Sequence, residues 1–127
     1  MRFDFLIFDQ SDDTDGHGSF DAMASCTPAQ LPKLEAELAR VLAWAHAEFP
    51  HSRGPLDEGH DWDFDLRGTL ERSLDEQLQF DTRSGGFSRA PGGREICRHT
   101  VSLALSGSAA FCEAFRAAFD LGVGDDD

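Results

Sequence analysis

The stretch of sequence that most restricts the fold lies between residues 27 and 50. Thr27, Pro28 and Gln30 form a helix start, with an N-cap hydroxyl, a proline in the first turn and a glutamine at the capping-box position. Apolar residues then recur at helical spacing at Leu31, Leu34, Leu38, Val41, Leu42, Ala45 and Phe49. Because Pro50 ends this pattern, we predict a helix over residues 28–48 with one apolar face to bury.

A second one-sided helix is predicted near the C-terminus. Residues 106–108 offer an N-cap serine, and an apolar stripe follows at Phe111, Cys112, Phe115, Ala118 and Phe119. Gly122 is the expected stop of this helix, and residues 124–127 are expected to form a frayed acidic tail.

Strands are predicted where apolar and polar residues alternate, at 2–8, 20–26, 60–67 and 94–105. Glycine, proline and aspartate predict loops at 11–19, 51–59 and 84–93. The first two strands are expected to pair as a hairpin. Residues 69–80 fit a short helix and a strand equally well, and the pattern leaves both open.

Two helices with one apolar stripe each, and strands with one apolar face, predict an α+β fold. We expect a two-layer sandwich with an antiparallel or mixed sheet of four to five strands and both main helices on one face. The 127 residues fit a single domain, 1–127.

The chain is strongly acidic, with a formal net charge of −13. This charge disfavours binding to nucleic acid or to an anionic membrane, and it favours a basic partner, a cation or simple solubility. The three cysteines are far apart in sequence and have apolar neighbours, which indicates reduced, buried thiols. With no signal peptide and no membrane-spanning run in the sequence, a cytoplasmic location is expected.

Residues 11–22 resemble a calcium loop only superficially. If Gly16 is placed at the glycine of an EF-hand loop, the closing bidentate glutamate falls at Ala22, whose side chain has no oxygen. The predicted strand that follows is also the wrong element, since an EF-hand needs a helix there. We therefore predict a hairpin loop whose side chains cap its own amides, with Asp12, Asp13 and Asp15 adding surface charge.

Asp61, Asp63 and Asp65 alternate with apolar residues and form an acidic ladder on one face of the third predicted strand. Three interpretations remain open for the ladder. It pairs with arginines of the next strand, among them Arg94 and Arg98, or it binds a basic partner, or it serves metal or acid–base chemistry.

No motif of nucleophilic catalysis, zinc binding or phosphate binding is present, and the five histidines are dispersed along the chain. We predict no catalytic residue, no metal ligand and no cofactor. Trp44 falls on the flank of the first helix stripe, where it either covers the core or faces a partner.

These patterns predict a non-enzymatic, acidic protein-binding domain that neutralises a basic partner, as immunity proteins and antitoxins do. The predicted partner-binding residues are Asp12, Asp13, Asp15, Asp61, Asp63, Asp65 and Trp44. The first alternative is a self-associating structural domain, a homodimer. The second is an enzyme that uses a weak divalent-metal site built on Asp13, Asp15, Asp61 and a histidine.

Overall fold

The computed structural model describes residues 3–121. Gly122, the predicted tail 124–127 and Arg2 of the first predicted strand lie outside the described residues. The strands are β1 (Asp9–Asp12), β2 (Gly18–Cys26), β3 (Trp62–Asp81) and β4 (Gly86–Gly107), and the helices are α1 (Leu31–Glu48) and α2 (Ala109–Ala118). The antiparallel sheet has the order β1–β2–β4–β3, and both helices pack on one face of it. This is the predicted two-layer α+β arrangement.

The predicted capping signals form in both helix starts, but α1 begins three residues later than predicted and its N-cap is Gln30. The backbone N–H of Thr27 donates to Oε1 of Gln30 at 3.0 Å, and the N–H of Gln30 donates to Oγ1 of Thr27 at 3.3 Å, which completes the predicted capping box. A turn over 28–30 precedes α1, so the helix begins at Leu31. Ser108 caps α2, with Oγ accepting from the N–H of Phe111 at 3.2 Å.

The core lies between the sheet and the two helices. Alternate residues of β2 face the helices, and their register partners Leu103, Leu105 and Gly107 on β4 are buried with them. The largest fully buried side chains are Trp62, Phe20, Phe111, Phe115, Leu34, Leu103, Leu105 and Val41. Each predicted apolar stripe therefore supplies this one core.

The first predicted strand is wrong. Residues 3–8 form no strand, because the carboxylate of Glu37 accepts the backbone N–H groups of Asp4, Phe5 and Leu6 that a strand would have donated to a neighbour. The strand that pairs with β2 is Asp9–Asp12, which begins beyond residues 2–8 and runs into the predicted loop 11–19. The hairpin itself is confirmed, with a connection of only residues 13–17.

The third and fourth strands are much longer than predicted. Residues 69–80, which the sequence left between helix and strand, are part of β3, and the predicted loop 84–93 is confined to a turn over 82–85. Gly92 and Gly93 form an irregularity opposite Asp75 instead of a hairpin tip. A Cβ on Gly92 would lie 2.9 Å from the backbone of Asp75, and Gly93 has φ +83°. Glycine therefore lets the ladder continue past this point.

The outer part of this hairpin extends beyond the rest of the sheet. β2 ends at Cys26, whose register partner is His99 of β4, and His99 pairs with Leu70 of β3. Residues 71–98, which we call the arm, are paired only with each other among the described residues. Cys97 lies in the arm and is only partly buried, unlike Cys26 and Cys112, so the expectation of a buried thiol is wrong there. Within residues 3–121, neither helix is long and apolar enough to cross a membrane.

Candidate functional site

The face of the sheet away from the helices, which we call the open face, is uncovered. Its central strand, β4, presents only small side chains there: Thr100, Ser102, Ala104 and Ser106. Larger side chains stand on the neighbouring strands, including Met23 on β2 and Arg67 on β3. The small central residues leave a shallow trough along the middle of the sheet.

Three aspartates meet across this trough at one level of the sheet. The register pairs Asp9 of β1 with Asp21 of β2, Asp21 with Ala104 of β4, and Ala104 with Asp65 of β3. We call Asp9, Asp21 and Asp65 the acidic row. A depression of about 250 Å³ lies over the row, and its lining includes the three aspartates, Met23, Ser102 and Ala104.

The carboxylates of the acidic row are poorly compensated. Asp9 and Asp21 stand directly opposite each other, and neither forms an ion pair within residues 3–121. Like charges at opposed positions of a ladder destabilise the pairing of the strands. Asp65 pairs with Arg67 at 2.8 Å, but both side chains are exposed, so this contact is weak and readily exchanged. A cation placed at the acidic row would therefore be attracted by all three carboxylates.

The predicted acidic ladder is only partly on the open face. Asp63 and Asp65 point there, whereas Asp61 precedes β3 and its backbone carbonyl accepts the N–H of Ser108 at 2.8 Å. The cation beside Asp63 is Arg53, at 2.9 Å. Asp65 forms its ion pair with Arg67.

Of the three interpretations of the ladder, its pairing with Arg94 and Arg98 is wrong. The antiparallel register places Arg98 opposite Glu71, with which it forms an ion pair at 3.1 Å, while Ala104 and Ser106 lie opposite Asp65 and Asp63. No described residue forms an ion pair with Arg94. The arginines of the fourth strand are simply too far along the hairpin to reach the ladder.

The aspartates of the β1–β2 connection serve the loop. Oδ1 of Asp13 accepts the N–H groups of Asp15 and His17 at 2.8 and 2.9 Å, as predicted for side chains that cap the amides of their own turn. Gly16 supplies the positive φ of the turn, +85°. Asp12 lies 3.4 Å from Arg116 of α2. Asp12, Asp13 and Asp15 therefore lie at the same end of the sheet as Asp61 but beside the opposite edge strand, and none of them belongs to the acidic row.

Trp44 lies on the helical side of the molecule. Its ring packs against Phe111, Phe115 and Phe119 of the C-terminal region, with centroid distances of 5.5 to 5.8 Å. Trp44 is partly buried and joins α1 to α2. This position is the core-covering one of the two that the sequence allowed, and it separates Trp44 from the acidic ladder by the thickness of the sheet.

Two residues of the row, Asp9 and Asp21, were not predicted as site residues. A signal for Asp21 was present, because the alternation in residues 20–26 places it on the uncovered face beside Met23. The sequence gives no such signal for Asp9. Asp9 begins β1 because residues 4–6 donate their N–H groups to Glu37 of α1, so strand pairing starts only after residue 8.

The residues proposed for a metal enzyme do not converge. Among residues 3–121, no group of three or more histidine, cysteine, aspartate or glutamate side chains is arranged to hold a metal ion. His17 lies beside Asp13, His46 packs edge-on to Trp62, and His60 contacts the carbonyl of Pro55. Burial raises the pKa of the Cys112 thiol, which keeps it protonated and unreactive.

Comparisons of the chain with models of known protein families, with curated proteins and with solved structures find no match.

Proposed function

We propose that this chain is a non-enzymatic protein-binding domain whose open face docks a basic segment of a partner protein, in the manner of an immunity protein or antitoxin. The observation that carries the proposal is the acidic row, in which Asp9 and Asp21 oppose each other and form no ion pair with any of residues 3–121. A basic side chain from outside relieves this repulsion, so binding and sheet pairing become coupled.

The spacing of the row suits a guanidinium or ammonium group. Neighbouring strands are about 4.8 Å apart, so Asp21 and Asp65, which flank Ala104, stand about 10 Å apart at the backbone. A cationic side chain lowered onto Ala104 reaches carboxylates on both sides, and charge-assisted hydrogen bonds of this kind are the strong ones. Met23 offers an apolar wall for the aliphatic part of an arginine or lysine.

The distribution of charge supports the same reading. The arm, residues 71–98, contains five arginines and five aspartates or glutamates, so its formal charge is zero. The entire formal charge of −13 therefore belongs to the rest of the chain, which includes the open face. Such a one-signed field accelerates the encounter with a basic protein.

Neutralising the row is expected to weaken partner binding. The variant Asp9→Asn, Asp21→Asn, Asp65→Asn removes three charges at the trough, and we expect an affinity loss of roughly 10- to 100-fold, because one or two charge-assisted contacts disappear. Immobilised wild-type and variant proteins are compared for capture of basic proteins, followed by titration of the captured protein.

The matched control removes the same number of charges elsewhere, with Asp57→Asn, Glu58→Gln, Glu113→Gln, all of them exposed. Raising the salt concentration should also release the partner, since exposed ion pairs are screened. If wild type, row variant and control capture the same proteins with the same affinity, the open face is not the docking surface.

A stability measurement tests the row without any partner. Asp21→Asn is expected to raise the free energy of unfolding by roughly 0.2–1 kcal/mol, because it relieves the repulsion from Asp9 directly opposite. Urea titration of the free protein measures the change. The comparison is Asp15→Asn in the exposed loop, for which we expect no change; a loss of stability in Asp21→Asn would contradict an uncompensated row.

The second candidate function, self-association, is favoured by a different observation. The arm carries several large apolar side chains that nothing within the described residues covers.

A further inference from the structure

No third strand pairs with the arm among residues 3–121. The arm is a two-stranded ribbon about 36 Å long, estimated from the eleven β3 residues 71–81 at about 3.3 Å each. Isolated two-stranded ribbons are at best marginally stable in water. Three cross-strand ion pairs, Arg72–Glu95, Arg89–Glu76 and Arg98–Glu71, hold the two strands together at the surface. Hydrogen bonds from Arg72 lower the pKa of Glu95, so the carboxylate of this pair stays ionised to a lower pH than an unpaired glutamate.

One face of the arm carries an apolar stripe. Strand alternation continues the helix-facing side of β3 outward through exposed side chains that we call the stripe: Leu70, Leu74, Leu78 and Phe80, with Phe87 beside Phe80 on β4. The same alternation places Arg72 and Glu76 between them, where they form ion pairs with Glu95 and Arg89 of β4, so the stripe alternates apolar side chains with paired charges. Leu74, in the middle of the stripe, is 62% exposed. Side chains of this size at a regular spacing on one face mark an interaction surface.

The two ends of the stripe are complementary in shape. At the tip, the rings of Phe80 and Phe87 lie 5.2 Å apart, and Phe87 is 71% exposed. At the base, on the same side of the sheet, an apolar groove of about 490 Å³ lies between α1 and β3. The groove is lined mainly by Leu38, Ala39, Leu42, Leu66 and Val101.

We propose that the arm is a dimerisation element, and that its occupant is the arm of a second copy of this chain. The two arms lie antiparallel with their stripes face to face about a two-fold axis near Leu74. In this arrangement each tip reaches the base of the other arm, so Phe80 and Phe87 of one copy enter the groove of its partner. Such a contact is self-complementary, as a two-fold interface requires.

The area buried in the dimer reaches that of a specific interface only if the stripes meet and each tip also enters the groove of the other copy. A ribbon about 36 Å long and about 10 Å wide offers a footprint of roughly 360 Å² per copy, which is small for a stable interface. Each phenylalanine that enters a groove adds on the order of 150 Å² or more. Stripe and tip contacts from both copies together therefore reach roughly 1,200 Å², the lower end of specific interfaces.

The charge distribution favours this arrangement over other ways for two copies to meet. The acidic bodies repel each other, whereas the arms have a formal charge of zero. Contact through the arms keeps the bodies on opposite sides of a ribbon much longer than the Debye length of about 8–10 Å. The same neutrality gives the arm no excess of cationic side chains for nucleic acid or an anionic membrane.

Sedimentation velocity between about 1 and 100 µM tests the dimer. We expect a species of twice the 14.0 kDa chain mass in the wild type. Leu74→Asp in the stripe and Ala39→Glu in the groove should each raise the dissociation constant on the order of 100-fold, since each buries a charge twice in the symmetric contact. Ser73→Asp, on the opposite face of the same strand, is the matched control and should leave the dimer intact. A wild type that stays monomeric at 100 µM overturns the proposal, as does an equal effect of Ser73→Asp and Leu74→Asp.

A crosslink tests the two-fold geometry without weakening the fold. In a Cys97→Ser background, Leu74→Cys places one thiol beside its symmetry mate, and mild oxidation should give a covalent dimer; Ser73→Cys should not. Cys26 and Cys112 are buried and do not interfere. Failure of Leu74→Cys to crosslink faster than Ser73→Cys overturns the antiparallel arrangement.

Salt separates this proposal from the one for the open face. Added salt should strengthen the dimer, because it screens repulsion between two acidic bodies around an apolar contact, whereas it should weaken binding of a basic partner. The salt dependence of dimerisation tests the arm, and the salt dependence of partner binding tests the open face. Each proposal can therefore be rejected without rejecting the other.

Discussion

Glu37→Ala is expected to lower the free energy of unfolding by about 2–4 kcal/mol, a large share of the stability of a domain this size. The reason is that Glu37, only 8% exposed, accepts three consecutive backbone N–H groups, with distances of 2.7 Å from Asp4, 3.1 Å from Phe5 and 3.1 Å from Leu6. Without the carboxylate these donors are either buried unpaired or must return to water. Equilibrium urea unfolding measures the loss.

Release of the N-terminal segment costs a similar amount. Leu6 is buried, and burial of one such side chain contributes about 1.5–3 kcal/mol. Phe3 packs on Phe119 and Phe8 packs on Phe115, each at 5.4 Å between ring centroids. Release of residues 3–8 from the core therefore costs about as much as leaving their N–H groups buried and unpaired. In either case the expected loss in the free energy of unfolding is the same.

Two further variants make the Glu37 argument specific. Glu37→Gln keeps one acceptor oxygen but turns an amide donor toward the same N–H groups, so we expect an intermediate loss. Glu35→Ala, exposed on the same helix, should change stability by less than about 0.5 kcal/mol. Amide exchange at residues 4–6 should lose protection in Glu37→Ala; retained protection there would show that the carboxylate does not hold the segment.

The sequence predicts what local signals determine. Both helices, their apolar stripes and the Ser108 cap of α2 follow from neighbouring residues, because caps, the Thr27–Gln30 hydrogen bonds and the spacing of the stripe act within a few turns. The inward face of β2 follows in the same way from strict alternation.

The errors arise where a distant partner overrides the local pattern. Residues 3–8 alternate like a strand, but the acceptor for their amides is Glu37, about thirty positions away, and no spacing rule reveals it. The leucines at 70, 74 and 78 have the spacing of a helix, yet they lie on β3 because pairing with β4 decides. The acidic row can be recognised only when the register of all four strands is known. The sequence therefore predicts Asp65 as a site residue but not its alignment with Asp9 and Asp21.

Exposed leucines favour self-association, whereas a large net charge opposes it. The two features are compatible in this chain because they lie on different parts of the molecule. A uniformly acidic chain would not self-associate, and an apolar chain would do so without specificity. Here the stripe lies on a neutral arm, and the poorly compensated carboxylates of the acidic row lie on the opposite face of the body. The two proposed contacts should therefore have opposite salt dependence.

Trp62→Ala is expected to be the most damaging single change, at about 3–5 kcal/mol. Trp62 is fully buried at the start of β3, and its ring stacks on Phe111 of α2 with a centroid distance of 5.6 Å and an interplanar angle of 1°. Its Nε1–H donates to the carbonyl of Phe49 at the end of α1, at 3.3 Å. The substitution therefore leaves a cavity where both helices and the sheet meet. Thermal or urea unfolding of the variant measures the effect.

Trp62→Phe separates the ring from its hydrogen bond. It keeps an aromatic face for Phe111 but loses the indole N–H and part of the volume, so we expect a loss of about 1–2 kcal/mol. Trp44 then remains as the only tryptophan, and its fluorescence reports whether α1 still packs on α2. Ile7→Ala, at a side chain that is 79% exposed, should change stability by less than about 0.5 kcal/mol. If Trp62→Ala costs no more than Ile7→Ala, the junction of helices and sheet does not depend on this indole, because the cavity term alone should separate the two variants clearly.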